Sequence, residues 1–437
     1  MKTGLILFLG ILGVILQTNT SFAQIPDNFP LTLNTSEQVE CAVGINPLNN
    51  DEVVVAWNDY RDGIPCDMGW AISMDGGSTW DSSLFVDAID PSCGFDKHGN
   101  IFVCYYGYGG FIKVAVTSDT GQHWNHKTIY SGSVDKPLMS IDNSGGQYDG
   151  RIYVTWQVLH TGIDYRPDSI LFSYAKAADS GFVTPIMLDV LPKTSFRAIK
   201  FPMTAVGKDS RLYLTWARVY NNGSEAQSYN KSAVMFVSSI NGGVGFSGPD
   251  TVTKYTHTYV TSYWGGWSGI VAEPIPTITA DLNSGVYVLY WNREDSTNGN
   301  KRIKWIRSTN NGVLWDTPVT IGDMGVGLQF FPALTTSEDG TIYVTYMHSP
   351  ASNPGVSDTA ACFLIRSLTK GETFSDPIQV SDRYSNPYYS SKHHEYNWVA
   401  ASRERLYATW TDYRNQNSNI YISGYEINQL SNSSSAT

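Results

Sequence analysis

Val53-Val54-Val55-Ala56-Trp57-Asn58-Asp59-Tyr60-Arg61 is the stretch whose reading decides the fold. Three β-branched residues run into a tryptophan, and polar residues end the run, which is the composition of a short, half-buried strand. The same pattern returns as IFVCYYGYG (101–109), IYVTWQVLH (152–160), LYLTWARVY (212–220), VYVLYWNRE (286–294), IYVTYMHSP (342–350) and LYATWTDYR (406–414). Most copies follow a turn signal such as Asp149-Gly150, Ser284-Gly285 or Asp339-Gly340. Internal repetition at this spacing is the mark of a radial β architecture.

Working outward, a short strand precedes each copy (ECAVGI, PSCGFD, PLMSID, FPMTAV, PTITAD, FPALTT, NWVAAS) and a third follows it. Most repeats then offer a fourth, such as PVTIGD. The expected fold is all-β: a seven-bladed β-propeller of four-stranded antiparallel blades spanning 24–428. The last repeat lacks a fourth strand, so Phe29–Asn34 is expected to pair beside 420–425 and close the ring, removing the exposed strand edges. Residues 429–437 read as a disordered tail. Lys2, the apolar run Gly4–Leu16 and Ser21-Phe22-Ala23 read as a signal peptide over 1–23, which predicts a secreted or periplasmic protein with no membrane insertion.

Charged residues make up only 16% of the chain and aromatics 13%, a balance that suits strands and tight turns over helices. The net charge of −11 sets the chain against nucleic acid as a partner. Five cysteines leave at least one unpaired within the chain. Cys93 and Cys104 flank the turn at His98-Gly99 and read as cross-strand neighbours, either an oxidised pair or two buried thiols. No spacing suggests a metal site, and no cofactor is read.

Between strands three and four of several repeats lies Ser-x-Asp-x-Gly-x-x-Trp. The clearest copy is Ser73-Met74-Asp75-Gly76-Gly77-Ser78-Thr79-Trp80, with related copies ending at Trp124, Trp315 and Phe374. Aspartate accepts N–H bonds across such a turn, glycine takes the left-handed position, and the aromatic packs between repeats. These boxes resemble the bacterial neuraminidase repeats of the Asp-box, sialidase-like propeller superfamily. Their tryptophans are expected to be largely buried, away from the site.

The resemblance implies an arginine triad for a sugar carboxylate, an aspartate acid/base and a tyrosine–glutamate nucleophile pair. Asp62 or Asp67 falls near the aspartate, Glu273 and Arg293 resemble the glutamate and second arginine, and Tyr396 sits where the nucleophile would. The chain departs from the family at Glu40, where the first arginine belongs, and at Met347-His348-Ser349, where the third is missing. A carboxylate at Glu40 disfavours an anionic sugar by about 1–4 kcal/mol at a separation of about 4 Å, so sialic acid is not the expected substrate. The repeated Asp59/Arg61 and Asp412/Arg414 ends read as salt bridges bracing the adjoining loops.

Starts of inner strands and ends of second strands share one face of a propeller. There the chain offers Glu40, Lys136, His160, Arg197, Arg218, Tyr220, His393, His394 and Glu395, beside the long connection carrying Trp264 and Trp267. Aromatic platforms with mixed polar groups suit sugar rings. The expected function is a secreted glycan-acting propeller on an extracellular polysaccharide. A hydrolase would oppose Asp67 to Tyr396 and Glu273. A lyase would draw its base and cation from His160, Arg197, Arg218 and Tyr220. A non-catalytic glycan-binding propeller and a protein-interaction scaffold stand as alternatives.

Overall fold

The computed structural model describes residues 28–159, 168–191, 197–220, 230–257, 275–293, 301–351, 359–387 and 394–430. After β1 (Phe29–Pro30), four sheets follow in chain order, each an antiparallel meander of four strands. The first holds β2–β5 (Gln38–Asn46, Asn49–Asp59, Asp67–Ser73, Asp81–Phe85) and the second β6–β9 (Ala88–Phe95, Ile101–Gly107, Phe111–Thr117, Asn125–Ser131). The third holds β10–β13 (Val134–Ile141, Ile152–Val158, Asp168–Ala175, Ile186–Leu191) and the fourth β14–β17 (Arg197–Val206, Leu212–Tyr220, Asn230–Ser239, Ser247–His257).

The fifth and sixth repeats differ from expectation. Their strands, β18–β21 (Thr277–Ala280, Val286–Arg293, Lys301–Ser308, Val319–Thr320) and β22–β25 (Leu328–Thr336, Ile342–Ser349, Ala361–Ser367, Ile378–Gln379), form one eight-stranded sheet. A single parallel pairing, Lys301 with Leu328, joins the two halves. The physical cause is local. Arg302 is buried, forms an ion pair with Asp323 at 2.9 Å and donates to the carbonyls of Gly325 and Gly327, drawing the glycine-rich connection onto β20. The outer strands β21 and β25 are correspondingly only two residues long.

The last sheet runs β1-β28-β27-β26, built from β26 (Trp398–Ala401), β27 (Arg405–Asp412), β28 (Asn419–Glu426) and the N-terminal strand. Phe29 faces Ile422 and Pro30 faces Tyr421, within the expected window. The regular pairing is shorter than expected, because at Leu31 and Thr32 both N–H groups turn to the one carbonyl of Ile420. A single helical turn, Ile427–Leu430, follows β28, and no helix among the described residues is long and apolar enough to cross a membrane.

Apolar clusters lie between successive sheets. Val54, Met68 and Ile72 of the first pack on Phe95, Val103 and Tyr105 of the second, and Phe102 and Val114 pack on Val154 and Trp156 of the third. Cys41, Val43 and Val53 of the first sheet also pack on Tyr407, Ile420 and Ile422 of the last. A fully buried large side chain contributes about 1.5–3 kcal/mol, so these seams between sheets carry the stability.

Cys93 and Cys104 are not partners. Cys93 pairs with Val103 and Cys104 with Ser92, which puts the two thiols on opposite faces of the hairpin. All five cysteines are free thiols, and burial pushes those of Cys41 and Cys66 up to about 12. The turns after the third strands share one hydrogen-bond pattern. Gly77 N–H donates to Ser73 Oγ at 2.8 Å and Thr79 N–H to Asp75 Oδ1 at 2.8 Å. Thr117 with Asp119, Ser239 with Asn241 and Ser308 with Asn310 repeat it. Trp80, Trp124 and Trp315 are half-buried, less than expected, because each lies at the rim of a seam between sheets and not within it.

Candidate functional site at the inner strands

The first strands of the sheets share a bulge. Val39 faces Asn58 but Ala42 faces Ala56, so one extra residue is inserted, and the same shift recurs in β6, β10, β14 and β22. At each bulge a residue other than glycine takes a positive φ: Glu40 (57°), Asp90 (55°), Lys136 (47°), Phe201 (54°) and Phe331 (49°). Such a conformation costs on the order of 1 kcal/mol and is held in place by neighbours. The Asp90 N–H donates to Asn58 Oδ1 at 2.7 Å, and the Phe201 N–H to Gln157 Oε1 at 3.0 Å. Four of the five residues precede proline, and Ile275 precedes Pro276 at the matching place in the fifth repeat.

These positions meet. Lys136 Nζ lies 3.1 Å from Glu40 Oε2, 2.9 Å from Asp90 Oδ1 and 2.7 Å from Glu395 Oε2, so one ammonium ties the first, second and third sheets to the segment leading into β26. The same ammonium stands 5.3 Å from the centre of the Tyr396 ring. Asn58 Nδ2 donates to Glu40 Oε2 at 2.9 Å, and Gln157 Nε2 to Asp135 Oδ2 at 2.9 Å. Phe201, Ile275 and Phe331, from the fourth to sixth repeats, are buried and wholly apolar. The inner strands therefore present a charged half and an apolar half.

The charges are unequal. Burial lifts the Glu40 carboxyl well above the ordinary carboxylate range, against the pull of Lys136. Burial also disfavours charge on Asp90, but Lys136 and hydrogen bonds from Glu40, Lys136 and Asp135 outweigh it, and its pKa lies below the ordinary value. Asp135 is pushed up to about 7, first by burial and next by the Asp90 charge. Two carboxyls held above their ordinary range thus flank one held below it, the separation that acid–base chemistry uses. Burial, with Glu40 and Asp90 adding to it, raises the Tyr396 phenol well above its usual range, so a base must take its proton before the oxygen can attack.

Of the residues singled out by sequence, Asp62 is exposed and Asp67 buried. Asp67 accepts the Asp87 N–H at 3.0 Å, and its carboxyl is raised by burial, with Asp62 adding to the rise. Tyr396 lies at the Lys136 cluster. Arg218 is engaged by Asp189, its Nε bonding Oδ2 at 2.8 Å, and Trp216 Nε1 shares that oxygen at 2.7 Å. His394 is fully buried. Its Nε2 faces two acceptors, Tyr396 O and Asn397 Oδ1, so it carries the proton, and Nδ1 accepts from Tyr413 OH. His160, Trp264, Trp267, Glu273 and His393 lie outside the described residues, and only the backbone of Arg197, Tyr220 and Arg293 is described, in strands β14, β15 and β19. Asp59 and Arg61 pair at 2.7 Å and Asp412 and Arg414 at 2.8 Å, as their repetition predicts.

Sequence reasoning placed Glu40, Lys136 and Glu395 on this face but missed Asp90 and Asp135. Aligning the repeats on the residue before proline would have found Asp90, since Asp90-Pro91 and Lys136-Pro137 occupy one repeat position. Among the described residues no group of His, Cys, Asp and Glu is arranged to hold a metal ion.

No family model matches the chain, and no curated protein matches it in sequence. Solved structures match in fold. An ulvan lyase of a new polysaccharide lyase family, PL25, is similar with a TM-score of 0.55 at 12% identity, over 91% of this chain and 97% of that one. Its complex with -[GlcA(1-4)Rha3S]- gives a TM-score of 0.54 at 12% identity, over 91% and 98%. A Dyadobacter fermentans protein of unknown function gives 0.50 at 13% identity, over 91% and 97%. At such identities the likeness is one of fold, a β-propeller-type stack of antiparallel sheets.

Proposed function

We propose that the chain is an exported, closed seven-bladed propeller of the Asp-box, sialidase-like type, acting as a glycoside hydrolase on a neutral extracellular polysaccharide. The observation that carries this reading is the divided inner ring. Asp90, Lys136 and Tyr396 share a pocket with Phe201 and Ile275, and Glu395 and Tyr396 share one with Ile275 and Phe331, which suits a sugar ring with its apolar face and hydroxyl edge. In this reading Asp62 and Asp67 supply the acid, and Tyr396 attacks, relieved of its proton by a carboxylate such as Glu273. Arg293, His160, Arg197, Arg218, Tyr220, Trp264, Trp267, His393 and His394 shape the surrounding face. A neutral substrate is favoured because Lys136 is already engaged by three carboxyl groups and leaves no net positive charge for a uronate or sialate.

One observation favours a second reading, glycan binding without turnover: the Tyr396 phenol is held firmly protonated. Incubation with a panel of neutral and uronic polysaccharides separates the readings. New reducing ends without unsaturated uronate support hydrolysis, unsaturated ends support a lyase, and retention on a polysaccharide column without either supports binding alone.

A further inference from the structure

Beside Tyr396 the inner strands enclose a cavity of about 70 Å³. Leu138, Met203, Ile275, Phe331 and Trp398 make its walls apolar, and Thr277 of β18 and Asn397, just before β26, add polar groups. The half-buried Tyr396 lines this cavity and also the small pocket that reaches Asp90 and Lys136, so both spaces meet at the site described above.

The volume limits what enters. A cavity of about 150 Å³ lined by apolar side chains admits benzene, so about half of that admits a group of about three heavy atoms. A sugar lying over Tyr396 therefore keeps its ring outside and sends in one substituent.

The polar groups set the chemistry of that substituent. Thr277 Oγ1 and Asn397 Nδ2 are buried and make no hydrogen bond among the described residues. The Asn397 amide is held in place, because its Oδ1 accepts from the Thr411 N–H at 3.1 Å and from His394 Nε2 at 3.2 Å. Both unpartnered atoms can donate, and a buried donor left unpaired is costly. A carbonyl oxygen has two lone pairs and can accept from both. A carboxylate is disfavoured, since Glu395 lines the same cavity and a buried charge needs a partner. An amide would bring an N–H of its own, and Asn397 Oδ1 and Glu395 Oε2 are already engaged. An acetyl ester asks for no acceptor, and its methyl matches the apolar walls.

We propose that this cavity is a subsite for an O-acetyl group, its carbonyl oxygen accepting from Thr277 Oγ1 and Asn397 Nδ2 and its methyl lying among the apolar walls. The substrate class is then an O-acetylated neutral polysaccharide. This second statement rests on the hydrolase reading, which lays the glycan over Tyr396.

The test has two arms. Crystals of the whole protein are soaked in an equal mixture of methyl acetate and N-methylacetamide. The ester is expected in the cavity, its carbonyl oxygen within hydrogen-bond distance of Thr277 Oγ1 and Asn397 Nδ2. A cavity holding no ester overturns the subsite, and the amide in its place assigns the cavity to another substituent. In the second arm, each neutral polysaccharide that the parent cleaves is compared in partially acetylated and alkali-deacetylated form. The acetylated form is expected to show a kcat/KM at least about tenfold higher. Thr277→Val removes the hydroxyl and keeps the shape, and a circular-dichroism melting curve checks its fold. It is expected to narrow that preference at least about threefold. Equal rates of the parent on both forms, or a preference that Thr277→Val leaves unchanged, overturn the subsite. Ester seated in a parent that cleaves no polysaccharide removes the hydrolase reading and leaves the subsite standing. Cleavage by a parent whose cavity takes no ester does the reverse.

Discussion

Lys136 Nζ sits 2.9 Å from Asp90 Oδ1, and this buried pair crosses from the third sheet to the second at the innermost edge of both. Because Glu40 and Glu395 reach the same ammonium, its removal leaves three buried carboxyl groups facing one another. Lys136→Met is expected to cost about 3–5 kcal/mol at neutral pH, the range for breaking a buried ion pair from one side. The urea midpoint checks it. The loss is expected to shrink toward about pH 4, where the carboxylates take up protons. A midpoint equal to the parent at neutral pH contradicts the central role of Lys136.

Asp135 gives stability a pH dependence of known sign. Its carboxyl titrates at about 7 in the folded chain, raised by burial and then by Asp90, and at about 3.9 when unfolded. Between those values the folded state keeps a proton that the unfolded state has lost. The contribution is therefore full below about pH 4 and drains as pH rises through about 7. Asp135→Asn keeps an acceptor for Gln157 and is expected to flatten the fall in melting temperature across that window. An unchanged slope places the titrating group elsewhere.

The two Asp-x-Arg brackets are expected to differ. Arg61 is more than a third exposed beside Asp59, whereas Arg414 is 10% exposed, binds Asp382 at 2.7 Å as well as Asp412, and lies 4.1 Å from the Tyr421 ring centre. Arg61→Ala is expected to change stability by less than about 1 kcal/mol, and Arg414→Ala by about 2–3 kcal/mol. Denaturant titration of both variants measures the difference.

The all-β character and most of the strand frame were legible because repetition is a sequence property. VVVAWNDYR and LYATWTDYR become β3 and β27, and their Asp-Arg ends pair as expected. The union of the fifth and sixth repeats was not legible, since it depends on one buried arginine, Arg302, gripping a distant glycine-rich loop. The Lys136 cluster was half legible. Each bulge inverts the local alternation of strand faces, so a strict two-residue period points Asp90 and Asp135 the wrong way. Tyr396 was found by position in the repeat, but its contact with Lys136 joins residues 260 apart in sequence and only the fold brings it about.

The central claim is that a glycan is cleaved at the inner-strand end bearing Tyr396. Its most direct test is turnover and affinity of the parent, Tyr396→Phe and Asp67→Asn on the polysaccharide the parent cleaves. Tyr396→Phe removes only the hydroxyl and is expected to lower kcat by at least about a thousandfold, with affinity within about threefold. Asp67→Asn, removing the proton donor, is expected to lower kcat by about 100- to 10,000-fold. Full turnover by Tyr396→Phe on a substrate that the parent cleaves would contradict the account.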